Sequence, residues 1–63
     1  MTPADFTDWR KHLGINRDEA SQRLGIAPNT VTAYERGRSE IPRHIALACT
    51  ALVNGLPPWP WKP

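Results

Sequence analysis

The chain has 63 residues, with eight lysines and arginines against six aspartates and glutamates, two histidines and one cysteine, for a formal net charge of +2. A single cysteine excludes an internal disulfide and no Cys/His cluster offers a structural zinc site, so a partner subunit is the remaining support for so small a core. No apolar run nears the roughly 18 residues of a membrane span, and Met1-Thr2-Pro3-Ala4-Asp5 lacks a signal peptide's basic and apolar regions, which makes a cytoplasmic protein the expectation.

Thr2-Pro3-Ala4-Asp5 reads as a helix start: a hydroxyl cap, proline at the first helical position and a carboxylate three residues after the cap. Phe6, Trp9 and Leu13 then recur on one helical face, and Gly14 is the stop. A second start follows at Asn16, with Glu19 placed to reach back to the cap's amide. This predicts a helix over about 17–24, with Ala20 and Leu24 inward and Gly25 permitting a sharp turn. Pro28 opens a third helix, running to about residue 36, whose Val31 and Tyr34 face inward and whose Gly37 marks the end.

The other side of this third helix carries Asn29, Thr32, Ala33 and Arg36, short or small side chains with little charge. Such a surface suits close contact with another molecule better than it suits solubility alone. Pro42 is expected to begin a fourth helix, with Ile45, Ala48, Cys49 and Leu52 at three- and four-residue steps and Asn54-Gly55 at its close. Leu56-Pro57-Pro58-Trp59-Pro60-Trp61-Lys62-Pro63 cannot continue a helix and predicts an extended arm. No strand pattern appears, and the fold class is all-α: a compact four-helix domain over 1–55 and a Pro/Trp-rich C-terminal arm over 56–63.

The net charge permits a polyanionic partner without requiring one. The distribution is more informative, because seven of the eight cations lie within residues 10–43 and six of those are arginine, the better ligand of phosphate and guanine.

The stretch from Ile15 to Gly37, with Leu24-Gly25-Ile26 at its turn and Glu35-Arg36-Gly37 at its end, resembles the Cro/repressor-type (Xre-like, lambda-repressor-like) helix-turn-helix family. Arg10 and Pro42-Arg43 also fall where that family has counterparts, and the likeness covers residues from about 6 to 52. It implies a sequence-specific double-stranded DNA-binding regulator of a phage or bacterium, a small homodimeric repressor whose third helix lies in the major groove while the second crosses the backbone. Only that groove is wide enough for a helix and presents a distinct pattern for every base pair.

By this resemblance Asn29 reads a base, its amide matching adenine N6 and N7; Thr32 and Ala33 reach base edges or a thymine methyl, and Thr30 offers a hydroxyl to a base or phosphate. Pro28 departs from the polar residue usual there, so shape or apolar contact replaces a base contact. Asn16, Arg17, Arg36, Arg38 and Arg43 are the phosphate contacts, through helix N-termini and charge, with Arg43 also near the minor groove. The family further implies an ion pair between Arg10 and Glu35.

Other residues take plainer roles. Lys11, Asp18 and Arg23 fit solvated helix faces, and Trp9 and Cys49 fit packing. His12, His44 and Cys49 are dispersed without metal-ligand or catalytic spacing, so no enzyme, metal or cofactor is expected. Trp59 and Trp61 are too apolar to hang in water without a use. Three uses compete: covering the core in place of the short fifth helix common in the family, forming the dimer contact, or docking on a foreign protein. The last corresponds to a different function, a protein-interaction adapter or antitoxin-like module.

Overall fold

In the computed structural model, residues 1–60 are described and form four helices: α1 Pro3–Leu13, α2 Arg17–Leu24, α3 Pro28–Glu35 and α4 Arg43–Val53. No strand occurs among them. The starts follow from local chemistry. Thr2 Oγ1 accepts from the Asp5 amide at 3.1 Å while the Asp5 carboxylate accepts from the Thr2 amide at 2.8 Å. Asn16 and Glu19 repeat this reciprocal box at α2, at 2.8 and 3.2 Å, each pair satisfying two amides that a helix start leaves without partners.

The two proline starts differ. Pro28 is the first residue of α3, as its fixed φ allows, whereas Pro42 stands one residue outside α4, extended at φ −62° and ψ 154°. Its carbonyl accepts from the Ile45 and Ala46 amides at 3.0 and 3.2 Å, so it caps the helix rather than opening it. Likewise α3 stops at Glu35, and Arg36 is its capping residue.

All four helices end in the same way. An amide two residues past the end of α1 and α2, and three past the end of α3 and α4, bonds a carbonyl five residues back: Ile15 to Arg10, Ile26 to Ser21, Arg38 to Ala33 and Leu56 to Ala51, at 2.9–3.2 Å. Each such residue follows a glycine. At Gly25, φ is +68°, a conformation that a Cβ opposes, and this sets the angle at which α3 leaves α2. The residue after the glycine is aliphatic at α1, α2 and α4 and is arginine only at α3.

Phe6, Trp9, Ile15, Ala20, Val31, Tyr34, Ile45 and Cys49 form the buried core, with Leu13, Leu24, Ile26, Ile41 and Leu52 packed around it. Phe6 is its centre, fully buried and in ring contact with Trp9 at 5.2 Å and with Tyr34, edge-on, at 5.7 Å. Burying a ring of this size contributes about 1.5–3 kcal/mol. α3 packs against both α1 and α2, and α4 packs on α2. α1 is tied to α4 by the Trp9 indole N–H, which donates to the Cys49 carbonyl at 3.0 Å. Burial pushes the Cys49 thiol up to about 11, as befits a small apolar filler.

Candidate nucleic-acid interface

Burying Val31 and Tyr34 turns the remaining side of α3 outward. Asn29 and Arg36 are exposed, and Thr30, Thr32 and Ala33 are half-buried between the outward and inward faces. Asn29 is therefore the most accessible of the four residues expected to read bases. The Thr32 hydroxyl donates back to the Pro28 carbonyl at 3.4 Å, a long bond on an exposed edge. Ala33 adds only a methyl, so the surface from Asn29 to Arg36 has little relief.

The positive ends of the helices are treated unequally. α1 has Asp5, and α2 has Asp18 and Glu19, in the first turn; α3 and α4 have no acidic residue there. No side chain caps α3 or α4, so the partial positive charge of both starts is left uncompensated from within the helix. Arg43 is the first residue of α4, a position where a cation is unfavourable by roughly 0.3–1 kcal/mol. That cost is reversed when an anion approaches.

Arg36, Arg38 and Arg43 are all exposed and bracket the connection from α3 to α4, where Glu40 is the one acidic residue. Arg38 is held at its backbone: Gly37 at φ +71° and the bond from the Arg38 amide to the Ala33 carbonyl at 2.9 Å fix where its side chain begins. Asn16 starts α2, with its carboxamide oxygen taken by the Glu19 amide and its NH2 group left to donate outward.

Arg17 is placed differently from these. Its Nε and Nη2 donate to Glu35 Oε2 at 3.3 and 3.2 Å. Arg10 holds the other side of that carboxylate, Nε to Oε1 at 2.6 Å and Nη2 to Oε2 at 3.4 Å, and also donates Nη1 to the Ile15 carbonyl at 3.2 Å. The Arg10–Glu35 pair expected from the resemblance is thus present, with Arg17 as a third member. The Glu35 side chain is 5% exposed and that of Arg17 47%. Burial would raise the Glu35 carboxyl, but its hydrogen bonds and charge contacts with Arg10 and Arg17 outweigh this and hold it below the ordinary carboxylate range. Two cations on one anion leave a net positive charge, displayed by Arg17 at the start of α2.

Sequence reasoning missed this link because Arg17 and Glu35 lie 18 positions apart on different helices. It also missed Ser21, which is buried and donates to the Asp18 carbonyl at 2.6 Å. Trp59 does not cover the core, being 86% exposed, and Trp61 lies outside the described residues. The residues before it, Leu56, Pro57 and Pro58, are themselves exposed and form one wall of a cavity of about 320 Å³ against α2 and α4. No three His, Cys, Asp or Glu side chains converge as a metal site among the described residues, and no helix there is long and apolar enough to cross a membrane.

A helix-turn-helix family model matches residues 8–54. The chain is also similar to the crystal structure of a candidate DNA-binding protein of Nitrosomonas europaea ATCC 19718, with 28% identity and a TM-score of 0.85. That similarity covers 100% of this chain and 41% of the other, so the chain spans less than half of its neighbour's length. No curated protein matches the sequence.

Proposed function

This chain belongs to the helix-turn-helix family, of the Xre/lambda-repressor-like kind, and from that premise we propose a sequence-specific regulator that reads double-stranded DNA with α3 in the major groove. The observation that carries the reading is the outward side of α3, where Asn29 stands exposed at a helix start that no side chain caps and no acidic residue occupies. Asn29 is the base reader; Thr32 and Ala33 follow along the groove floor, and Thr30 contributes its hydroxyl. Arg36, Arg38 and Arg43 meet phosphates on one side of α3, and Asn16 with Arg17 meets them at the start of α2.

Occupying a promoter is enough to repress, by keeping polymerase off. A homodimer would set two α3 helices on half-sites about 34 Å apart. Selection from random duplex DNA tests this, with a recovered motif of two-fold symmetry as the expected result. Absence of any enriched motif, or binding that ignores salt, contradicts it, since each neutralised phosphate adds about −0.9 to the slope of log K against log salt. The adapter reading draws on the exposure of Trp59 and predicts binding that barely responds to salt.

A further inference from the structure

Glu35 closes α3 and Arg17 opens α2, so one carboxylate joins the last residue of the base-reading helix to the first residue of its neighbour. Arg10 alone is enough to fasten that carboxylate. It takes Oε1 through Nε at 2.6 Å and Oε2 through Nη2 at 3.4 Å, while its Nη1 donates to the carbonyl of the buried Ile15 at 3.2 Å. The Arg10 side chain is only 17% exposed, so Glu35 is gripped from inside the molecule. The added contact with Arg17 carries a penalty on the DNA side, because an anion beside a phosphate-binding arginine repels the phosphate. Charge alone gives no reason for Glu35 to reach Arg17.

The stereochemistry of the guanidinium does. The group is planar, with Nε and Nη2 donors along its side edge and Nη1 and Nη2 donors along its end edge. Glu35 Oε2 takes the side edge of Arg17, at 3.3 Å from Nε and 3.2 Å from Nη2. That leaves the end edge, two parallel N–H groups of the kind a phosphate accepts in bidentate fashion. The Glu35 side chain is buried and that of Arg17 half in water, so the occupied edge is the one nearer the interior. Asn16 adds an NH2 group beside it, but Asp18 and Glu19 already answer the helix dipole at this start. A phosphate at α2 therefore depends on the aim of the guanidinium.

We propose that Glu35 is a positioning residue for DNA binding: held by Arg10, it fixes Arg17 so that the end edge of the guanidinium meets a backbone phosphate beside the groove that α3 enters. The inference rests on the duplex reading above and adds to it a residue that itself touches no DNA. It also couples the two kinds of contact, since a shift of α3 moves Glu35 and with it the arginine at the start of α2.

The test is a double-mutant cycle on duplex affinity. Wild type, Glu35→Asp, Arg17→Ala and the double variant are titrated onto a long duplex of mixed sequence at one low salt concentration, since phosphate contacts need no cognate sequence. Aspartate keeps the charge and draws the carboxylate back by one methylene, about 1.5 Å, which takes a 3.2 Å contact out of hydrogen-bond range. Glu35→Asp is expected to weaken binding about three- to tenfold while Arg17 is present, the cost of ordering a loose arginine. Once Arg17 is alanine, the same substitution should change affinity by less than about two-fold. Circular dichroism at the assay temperature checks that all four proteins are folded. Where Glu35→Asp is not, Glu35→Gln runs the same cycle, and its change of net charge acts in both backgrounds and cancels.

A loss of equal size in both backgrounds makes Glu35 a stabilising residue only and overturns the inference. So does an Arg17→Ala or a Glu35→Asp variant that binds as wild type. Tighter binding by Glu35→Asp overturns it as well, because that is the result expected if Glu35 withholds Arg17 from the phosphate. A wild type that binds no duplex removes the functional reading and this inference together, whereas duplex binding without coupling between positions 17 and 35 removes only the inference.

Discussion

Trp9 and Cys49 are 40 residues apart in sequence, yet the indole N–H of the first donates to the backbone carbonyl of the second at 3.0 Å. The bond ties the first helix to the last and places a polar anchor inside an otherwise apolar core. Trp9→Phe keeps an aromatic ring beside Phe6 while removing the donor. The expected loss is about 0.5–1.5 kcal/mol, read as a melting temperature lower by roughly 4–8 °C per kcal/mol for a domain of this size.

Glu35 accepts from two guanidiniums at once, and its removal leaves the mostly buried Arg10 without a counter-charge. Glu35→Gln should cost about 1–3 kcal/mol, less than a fully buried pair would because Arg17 remains half in water. The pH dependence has a definite sign. A carboxyl held below its unfolded value contributes stability that is fully present above that value and fades as pH falls through the folded one. Denaturant midpoints measured from pH 7 down to pH 3 should therefore fall in the wild type below about pH 4.5, and fall less in Glu35→Gln. The slope left in the variant includes Asp5, whose carboxyl is lowered by its bonds to Thr2.

On DNA, the three classes of contact should separate. Asn29→Ala is expected to narrow the gap between cognate and random duplex, by about 1–3 kcal/mol. Arg38→Ala should weaken all duplexes alike and reduce the salt slope by about one. Arg17→Ala should do the same and also lower stability, because Arg17 holds Glu35 as well as facing outward. Binding isotherms at several salt concentrations, with melts alongside, distinguish them; equal effects of all three on every sequence would contradict the assigned roles.

Gly25 stands at φ +68°, and a Cβ built there meets nothing within 4 Å. Gly25→Ala is thus a test of backbone strain free of crowding, with an expected loss of about 1–2 kcal/mol. Asn tolerates this conformation better, so Gly25→Asn should melt above Gly25→Ala. The reverse order would show that the turn's angle is set by something other than the glycine.

The parts of the fold legible in the sequence are those fixed by neighbours in the chain. Thr2 with Asp5, Asn16 with Glu19, and the glycines after α1 and α2 lie within a few residues of the ends they define, and those helices fall where the pattern puts them. At Pro42 the reading slips by one residue, because fixed φ suits both a first helical position and the extended residue before it. The outward side of α3 follows from the inward spacing of Val31 and Tyr34. What could not be read depends on how helices cross: the grip of Arg17 on Glu35, the burial of Ser21, and the groove walled by Leu24, Ala51 and Leu56 each need two or more elements placed in space.

Two of the four helix ends follow their glycine with a hydrocarbon that packs in the core or on its edge, Ile15 and Ile26; α4 follows it with Leu56, which is 53% exposed, and α3 with Arg38. After α3 it is Ile41 that packs against the core, so the seam is held at two points, by the Arg38 amide on the Ala33 carbonyl and by the Ile41 side chain. The amides of Ser39 and Glu40, between those two points, should trade hydrogen for deuterium sooner than those of α3, which leaves a stiff little bundle one short stretch able to settle onto the contour of the surface it grips.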